Sequence, residues 1–446
     1  MRNKPQADAV HTKKLLVENS VELNTGPAMD ALIEKIGDVQ VVLLGEASHG
    51  THEYYTWRSL ISKRLIEEKN FSFIAVEGDW PDCYTLNRCI KNYPGACPDV
   101  ETALKAFDRW PTWMWANWEI VALARWMQTY NRERPKESKI GFYGLDVYSL
   151  WESLETILKF LEKKGPEAKS TALEAIKCFG PYRHDEGLSY ARTARFVPAP
   201  CENEVVDLLV HMRKNAMKYT HDHEEAFNVE QNAWVVAGAE NYYRTMLVAG
   251  PESWNIRDRH MVDTLNRLMQ LYGRNSKAIV WEHNTHIGDA RATDMWRDGM
   301  INTGQLIREQ YGEKNVYTVG FGSWSGTVIA ADQWGRPPTI MEVPPARQGS
   351  WENLLHGLAN GERTNASDRL VFMNRKMQAD LGKEHLPHRA IGVTYSPRYE
   401  RFLNYVPSRM PYRYDAFIYI DQTQALHPLH VKPDPGQVPE TFPFGL

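Results

Sequence analysis

A series of short, continuous apolar runs most strongly constrains what this chain can fold into. Each run is rich in β-branched or aromatic residues and is separated from the next by a longer stretch of helical character; the runs are residues 39–44, 71–76, 139–145, 277–281, 315–319 and 414–420. An uninterrupted apolar run is typical of a strand that is covered on both faces. We therefore predict an α/β fold, with a central, mainly parallel β-sheet flanked by helices.

The strand pattern stops between about residues 150 and 272. Apolar residues such as Val205, Leu208 and Met212 recur there at helical spacing, and Gly273 follows as a helix stop. We interpret residues 151–272 as a helical insertion lobe over the cleft of the sheet. The predicted first part of the α/β core is then residues 1–150, and the lobe is residues 151–272. The second part of the core is residues 273–425, and residues 426–446 form a C-terminal coil tail.

Composition narrows the classes of protein and partner. The 446 residues are 43% hydrophobic, which is enough for a large core, and their formal net charge is −4. A slightly acidic chain does not suit nucleic acid as its main partner. No apolar run reaches the length of a membrane span, and none follows the basic start as a signal peptide would. We expect a cytoplasmic protein with no membrane partner; the sequence gives no oligomeric state.

The cysteines support the same compartment. Five of them, with no paired framework, predict reduced thiols: Cys83, Cys89, Cys97, Cys178 and Cys201. The spacing of the first three fits no zinc-binding pattern, so they are expected to pack as small apolar residues.

Ionisable side chains follow four of the predicted strands directly. The residues at these strand ends are Glu46 and His49, then Glu77 and Asp79, then Asp146, and finally Glu282, His283, Asn284 and His286. The carboxyl ends of parallel strands share one edge of a sheet, where ligands bind. Side chains that are far apart in sequence are therefore predicted to converge on one pocket.

Each of these residues also has a structural interpretation. Glu46 could cap the helix that begins near Thr51, Glu77 or Asp79 could pair with Arg58, and the three histidines could be ordinary buried or loop residues. Ionisable groups at the ends of apolar strands are costly to bury unless they are paired or used. Their coincidence at several strand ends favours a functional site.

Three further patterns are predicted not to carry chemistry. Residues 221–224 (HDHE) look like metal ligands but are expected to form a solvated face. Ser48 falls close to a G-x-S-x-G nucleophile turn, but Glu46 occupies the position that needs a small residue. The tryptophans at positions 110, 113, 115 and 118 are expected mainly to pack helices, with flooring of an apolar cleft as the alternative.

Several motifs together resemble the erythromycin esterase family, from about residue 15 to about residue 430. They are residues 43–51 (LLGEASHGT), 77–80 (EGDW), 144–146 (GLD), 257–258 (RD), 281–286 (WEHNTH) and 350–356 (SWENLLH). The resemblance implies hydrolysis of a carboxylic ester and, in the best-known members, opening of a macrolide lactone in antibiotic resistance. It also implies a general base at His49 and a carboxylate beside it at Glu46. The other polar positions of the pocket would be Arg58, Glu77, His283 and His286.

The chemistry expected from these residues is direct attack of water, activated by His49, on a small-molecule ester or lactone. The candidate substrate contacts are Asp79, Asp146, Asn284 and Trp115. No cofactor is expected to be required, but a divalent metal on His49, Glu77, His283 and His286 would give a metal-dependent hydrolase instead. The remaining alternatives are a serine esterase that uses Ser48 and a non-catalytic metal- or haem-binding protein that carries a small ligand.

Overall fold

The protein is described by a computed structural model. It covers residues 4–165, 168–185, 188–197, 201–248, 250–358, 368–383 and 385–430. The strands are β1 Ser20–Glu22, β2 Val41–Leu44, β3 Phe73–Val76, β4 Gly141–Gly144, β5 Ala278–Trp281, β6 Val316–Ala330, β7 Thr339–Val343, β8 Arg369–Phe372, β9 Leu386–Arg389, β10 Tyr405–Ser408 and β11 Ala416–Thr423.

Helices occupy much of the remaining chain. They are α1 Lys4–Glu18, α2 Pro27–Ile36, α3 His52–Lys69, α4 Trp80–Ile90, α5 Val100–Lys105, α6 Trp118–Asn131, α7 Leu150–Glu162, α8 Ser170–Phe179, α9 Leu188–Ala194, α10 Glu202–Tyr219, α11 His223–Thr245, α12 Glu252–Tyr272, α13 Asn284–Ile287, α14 Thr303–Tyr311, α15 Trp351–His356, α16 Arg375–Leu381, α17 Glu400–Leu403 and α18 Met410–Arg413.

The six predicted strands form the parallel centre of the main sheet, in the order β11-β6-β2-β5-β3-β4. Strands β8 and β1 extend the β11 side in antiparallel order, and β7 pairs antiparallel with β6. Every residue of β2, β3, β4 and β5 is buried, because helices cover both faces. The predicted α/β fold, with a mainly parallel sheet flanked by helices, is confirmed.

Helices α7 to α12 lie between β4 and β5, and the described residues of that region contain no strand. Much of the region has its own apolar core, which includes Leu154, Leu208 and Val236. The end of the region joins the sheet, since Met261 of α12 packs in the same core as Val280 of β5. The proposed domain boundaries remain predictions, and the predicted coil tail lies outside the described residues from position 431 onward.

The prediction of five reduced cysteines is wrong for two of them. Cys178, at the end of α8, and Cys201, just before α10, form a disulfide, with Cα atoms 5.9 Å apart. No pattern in the sequence indicates that α8 and α10 pack side by side. Cys83, Cys89 and Cys97 are free thiols. The cysteine content therefore does not support the predicted cytoplasmic location. None of the described helices is long and apolar enough to cross a membrane.

The segment 221–224 is also less solvated than predicted. Asp222 caps α11 by accepting backbone hydrogen bonds, but Glu224 is buried and accepts hydrogen bonds from Lys91 Nζ at 2.8 Å and Asn87 Nδ2 at 2.9 Å. The first turn of α11 faces α4, and Lys91 directly after α4 provides the compensating charge. Sequence spacing alone does not reveal this long-range ion pair.

The centre of the sheet should be the least tolerant of lost volume. Ile279 of β5 is fully buried and pairs with Val42 and Ile74 on the two neighbouring strands. We expect Ile279→Ala to lower the free energy of unfolding by about 2–5 kcal/mol in urea denaturation, because it leaves a cavity. Ile340→Ala on β7 is the control: that side chain is 67% exposed, and the change should stay within about 0.5 kcal/mol. Equal losses would contradict the central position of β5.

Candidate active site

The carboxyl ends of β2, β3, β4 and β5 open into a cavity of about 340 Å³. Predicted residues from all four strand ends line it, namely His49, Glu77, Asp79, Asp146, His283 and His286, and Trp115 joins them from a later loop. The parallel order of the strands produces this convergence, since it places side chains that are more than 200 residues apart in sequence at one edge of the sheet.

His49 is oriented by a buried carboxylate. Its Nδ1 lies 2.9 Å from Glu46 Oε1, and Glu46 Oε2 accepts a hydrogen bond from Arg58 Nη2 at 2.6 Å. A carboxylate paired with arginine can only accept, so His49 Nδ1 carries the proton and Nε2 keeps its lone pair. His49 lines the cavity, and its Nε2 makes no hydrogen bond to any described residue.

Arg58 lies behind Glu46 and does not line the cavity. Its guanidinium is fully buried and rests on the rings of Tyr55 and Trp281, at 4.3 and 4.7 Å from their centroids. Its ionic partner is Glu46, and neither Glu77 nor Asp79. The structure thus gives Arg58 the position of a residue that holds Glu46, which differs from the predicted position in the pocket lining.

Glu77 is held as an anion by a second arginine. Arg257 Nη2 donates to Glu77 Oε1 at 2.6 Å and to Asp146 Oδ2 at 2.6 Å, and Arg257 Nε donates to Asp146 Oδ1 at 2.9 Å. Burial alone would raise the pKa of Glu77, but His286 and Arg257 outweigh it and hold the pKa well below its ordinary value. Glu77 therefore has no proton to give at neutral pH.

His286 is fixed on both sides of its ring. Its Nδ1 lies 2.9 Å from Asp258 Oδ1, its Nε2 lies 2.9 Å from Arg257 Nη1, and Trp254 stacks on the ring with centroids 4.4 Å apart. Arginine can only donate, so neutral His286 accepts at Nε2 and donates from Nδ1. Burial opposes its charged form, but Asp258 and Glu77 raise its pKa.

His283 presents the opposite tautomer. Its backbone N–H donates to Glu77 Oε2 at 2.8 Å. Its Nδ1 accepts from the backbone N–H of Thr285 at 3.3 Å and lies 2.8 Å from Thr285 Oγ1, a hydroxyl that can donate to the same nitrogen. The proton of the neutral ring is then on Nε2, which is buried without a hydrogen-bond partner among the described residues. Burial and the neighbouring His49 lower the pKa of His283 well below its ordinary value. The two rings lie 4.9 Å apart, so a free acceptor and a free donor face the same region.

Three of the four predicted substrate contacts lie at the cavity. Asp79 is paired with Arg109 Nη1 at 2.7 Å, Asp146 is held by Arg257, and Trp115 Nε1 donates to the backbone oxygen of Glu77 at 3.1 Å. Asn284 is the exception and does not line the cavity. Its Nδ2 donates to Phe321 O at 2.6 Å, so it ties the turn after β5 to strand β6.

The tryptophans contribute more to the cavity than the prediction allowed. Trp110 and Trp115 line it, together with Trp254 and the 61% exposed Trp334. Trp110 packs against Trp334 with ring centroids 4.4 Å apart. Trp113 is buried, as expected of a packing residue. The lining of the cavity therefore combines aromatic rings with charged groups.

Sequence reasoning missed several residues of the site. Arg257 and Asp258 entered only through the family resemblance, and Arg109, Tyr148 and Trp254 were not identified. They come from loops or from the helical region, where no strand end marks them. Glu282 is the opposite case, a residue that the sequence predicted at the pocket but that does not line the cavity. It follows β5 but is fully buried, and neither of its carboxyl oxygens is hydrogen bonded to a described residue.

The geometry bears on two of the alternatives. The described residues His49, Glu77, His283 and His286 do not form a group whose ligand atoms all lie within 4.8 Å of one another. Glu77 Oε1 and both nitrogens of His286 are hydrogen bonded to Arg257 or Asp258, whereas His283 Nε2 has no partner among the described residues. Ser48 Oγ is hydrogen bonded to Thr51 Oγ1, and Ser48 is not among the residues that line the cavity.

The cavity thus brings together a carboxylate-bound histidine, a second buried histidine and four tryptophans. The family model for erythromycin esterase matches residues 66–423, and the chain belongs to the erythromycin esterase family. Membership of this family supports a hydrolase.

Individual proteins agree with this result. Erythromycin esterase type II of Escherichia coli is 24% identical over 348 residues, which cover 72% of this chain and 79% of that protein. The putative hydrolase YbfO of Bacillus subtilis strain 168 is 21% identical over 334 residues, 71% of each chain. The solved structure of a mutant of the erythromycin esterase EreC in its open conformation shares the fold, with a TM-score of 0.62 and 15% identity over 89% of this chain and 94% of that one.

The buried acid of Glu282 should make stability depend on pH. Burial, with Asp258 and Glu77 nearby, raises its pKa well above the ordinary value. Above about pH 4.3 the unfolded chain releases this proton while the folded chain keeps it, so stability falls as pH rises, by at most about 1.4 kcal/mol per pH unit. We expect Glu282→Gln to remove this loss, so that its advantage over the wild type in urea unfolding grows from pH 5 to pH 8.

The exposed carboxylate Glu34 provides the matched control for this comparison. Glu34→Gln removes one carboxylate without touching the site and should follow the wild-type pH profile. A constant difference between Glu282→Gln and the wild type over the whole pH range would contradict a neutral Glu282 in the folded protein.

Proposed function

We propose that this protein hydrolyses a carboxylic ester or lactone of a small molecule by direct attack of water that His49 activates. The observation that carries the proposal is the buried chain from Arg58 through Glu46 to His49, which fixes the protonated Nδ1 and leaves Nε2 open at the cavity. An imidazole in this state accepts the proton of a water molecule as it attacks a carbonyl carbon.

The next requirement is stabilisation of the tetrahedral intermediate, whose oxygen becomes negative. His283 Nε2–H is the best-placed donor, because it is neutral, points into the site and has no other partner among the described residues. A donor that is already oriented and desolvated stabilises developing charge strongly. Arg257 is already paired with both Glu77 and Asp146, so its contribution is to hold these side chains in place.

Collapse of the intermediate then breaks the bond to the alcohol oxygen. The proton that His49 took from water passes to this leaving oxygen, so the imidazole returns to its starting state and the products are an acid and an alcohol. Glu77 keeps its charge throughout, because its pKa is held low. Its contribution is to fix Arg257 and the backbone N–H of His283.

The lining of the cavity supports a bulky, largely apolar substrate. Trp110, Trp115, Trp254 and Trp334 line it, and aromatic rings provide large contact areas for such a ligand. Macrolide lactones are the first substrates to test, because a relative of this chain is named as an erythromycin esterase. Simple aryl and alkyl esters complete the panel.

Loss of the base should abolish most of the activity. We expect the wild type to give a product that gains the mass of one water from at least one macrolide or simple ester, detected by mass spectrometry. His49→Ala should lower kcat by a factor of about 10²–10⁴, as expected for a general base. His356→Ala is the matched control, since it removes another histidine paired with a carboxylate, Asp421, outside the cavity. Near-normal turnover by folded His49→Ala would refute the assignment.

Loss of the proposed oxyanion donor should act mainly on the chemical step. We expect His283→Phe, which keeps a ring of similar size, to lower kcat by about 10²–10³ with little change in KM. The same preparation should retain the circular dichroism spectrum of the wild type. A change confined to KM would assign His283 to substrate binding and would contradict its role as donor.

A further inference from the structure

A second group of histidine and carboxylate side chains lies outside the cavity. His52 is the first residue of α3, Glu119 is in the first turn of α6, and His427 follows strand β11. The Glu119 side chain is 2% exposed, whereas those of His52 and His427 are 28% and 47% exposed. None of the three lines the cavity, so the proposed hydrolysis does not use them.

The three side chains converge on one point. Glu119 Oε1 lies 2.6 Å from His52 Nδ1 and 2.7 Å from His427 Nδ1. Their ligand atoms all lie within 4.8 Å of one another. The two imidazole rings meet edge to face, with centroids 5.3 Å apart. Two imidazole nitrogens therefore meet at one carboxylate oxygen, and all three are possible metal ligands.

The charge of Glu119 is not balanced by a permanent cation. Among the described residues, its ion-pair partners are the two histidines, with no lysine or arginine. A buried carboxylate loses its hydration and needs positive charge beside it. Among the other buried carboxylates, Glu46, Glu77 and Glu224 are each paired with an arginine or a lysine, whereas Asp258 and Glu352 are each paired with one histidine. Glu119 differs in that a single one of its oxygens meets two imidazole nitrogens.

We propose that His52, Glu119 and His427 bind a zinc ion, with water in the fourth position. Two imidazole nitrogens and one carboxylate oxygen are ligands that Zn²⁺ takes in tetrahedral sites. On binding, each imidazole coordinates through Nδ1 as a neutral ring that carries its one proton on Nε2, and any second ring proton goes to solvent. The zinc ion then replaces the hydrogen bonds between the two Nδ1 atoms and Glu119, whose carboxylate oxygen becomes the third ligand. The half-exposed His427 has room to move outward and admit the ion.

The backbone around the group is already aligned for such a site. His52 N donates to Gln424 O at 2.9 Å, and Trp118 N donates to His427 O at 3.0 Å. The segment after β11 thus lies against the beginnings of both α3 and α6. Because His52 is three residues after His49, the zinc ion ties this segment to the turn that carries the proposed base.

The test is zinc binding by the full-length protein after a chelator has removed all metal. Bound zinc is measured by elemental mass spectrometry, affinity by competition with a zinc-binding dye, and stability by the Tm with and without Zn²⁺. We expect one zinc at this site and a rise in Tm. His427→Ala and Glu119→Gln should each weaken binding by at least about 100-fold, more than the loss of an outer-sphere partner, and should abolish the rise.

Three controls make the outcome decisive. His356→Ala removes a histidine with a single carboxylate partner and should bind zinc as the wild type does. His49→Ala should also bind normally; loss of binding in that variant alone would assign the ion to the cavity and overturn the proposal. His427 has an exposed side chain, so His427→Ala tests the site even if the buried change Glu119→Gln prevents folding. No zinc on the wild type, or equal affinity in His427→Ala, overturns it as well.

Discussion

The buried ion pair between Arg58 and Glu46 is the interaction on which the organisation of the site depends. Glu46 lies two residues after β2 and is buried, and Arg58 on α3 supplies the positive charge beside it. Its second oxygen then sets the tautomer of His49. The aromatic rings under Arg58 fix the guanidinium in place. The packed core therefore fixes the orientation of His49 through Arg58 and Glu46.

The site repeats this arrangement with a second arginine. Arg257 comes from helix α12, yet it holds carboxylates that follow β3 and β4. Arg257 is shared by two carboxylates, whereas Glu46 has Arg58 and Asp79 has Arg109 as partners from other elements. The two histidines that remain available, His49 and His283, differ in which nitrogen carries the proton. That difference comes from their fixed partners, Glu46 and the backbone N–H of Thr285.

The strand ends could be found from the sequence because parallel strands have a simple pattern. Six continuous apolar runs gave the centre of the sheet, and the ionisable residues after four of them gave most of the cavity floor. Arg257, Arg109 and Trp254 could not be found in this way, since helix packing and loops bring them to the site. Asn284 shows the converse: it occupies a strand end, but its amide is used to join that turn to Phe321.

The remaining differences have the same origin in long-range packing. The disulfide between Cys178 and Cys201 and the ion pair between Lys91 and Glu224 each connect segments whose proximity has no local signature. An argument from composition or spacing considers each of these four residues without its partner. Their partners are visible only when the helices are placed side by side, which also explains why the cysteine count pointed to the wrong redox state for two residues.

The contact between Trp110 and Trp334 links two parts of the cavity wall. Trp334 lies between β6 and β7 and is mostly exposed, while Trp110 belongs to the loop before α6, so the contact joins two segments that are far apart in sequence. Both rings also line the cavity. A change in the hairpin that carries Trp334 therefore alters the packing of Trp110 and, through it, the wall of the cavity.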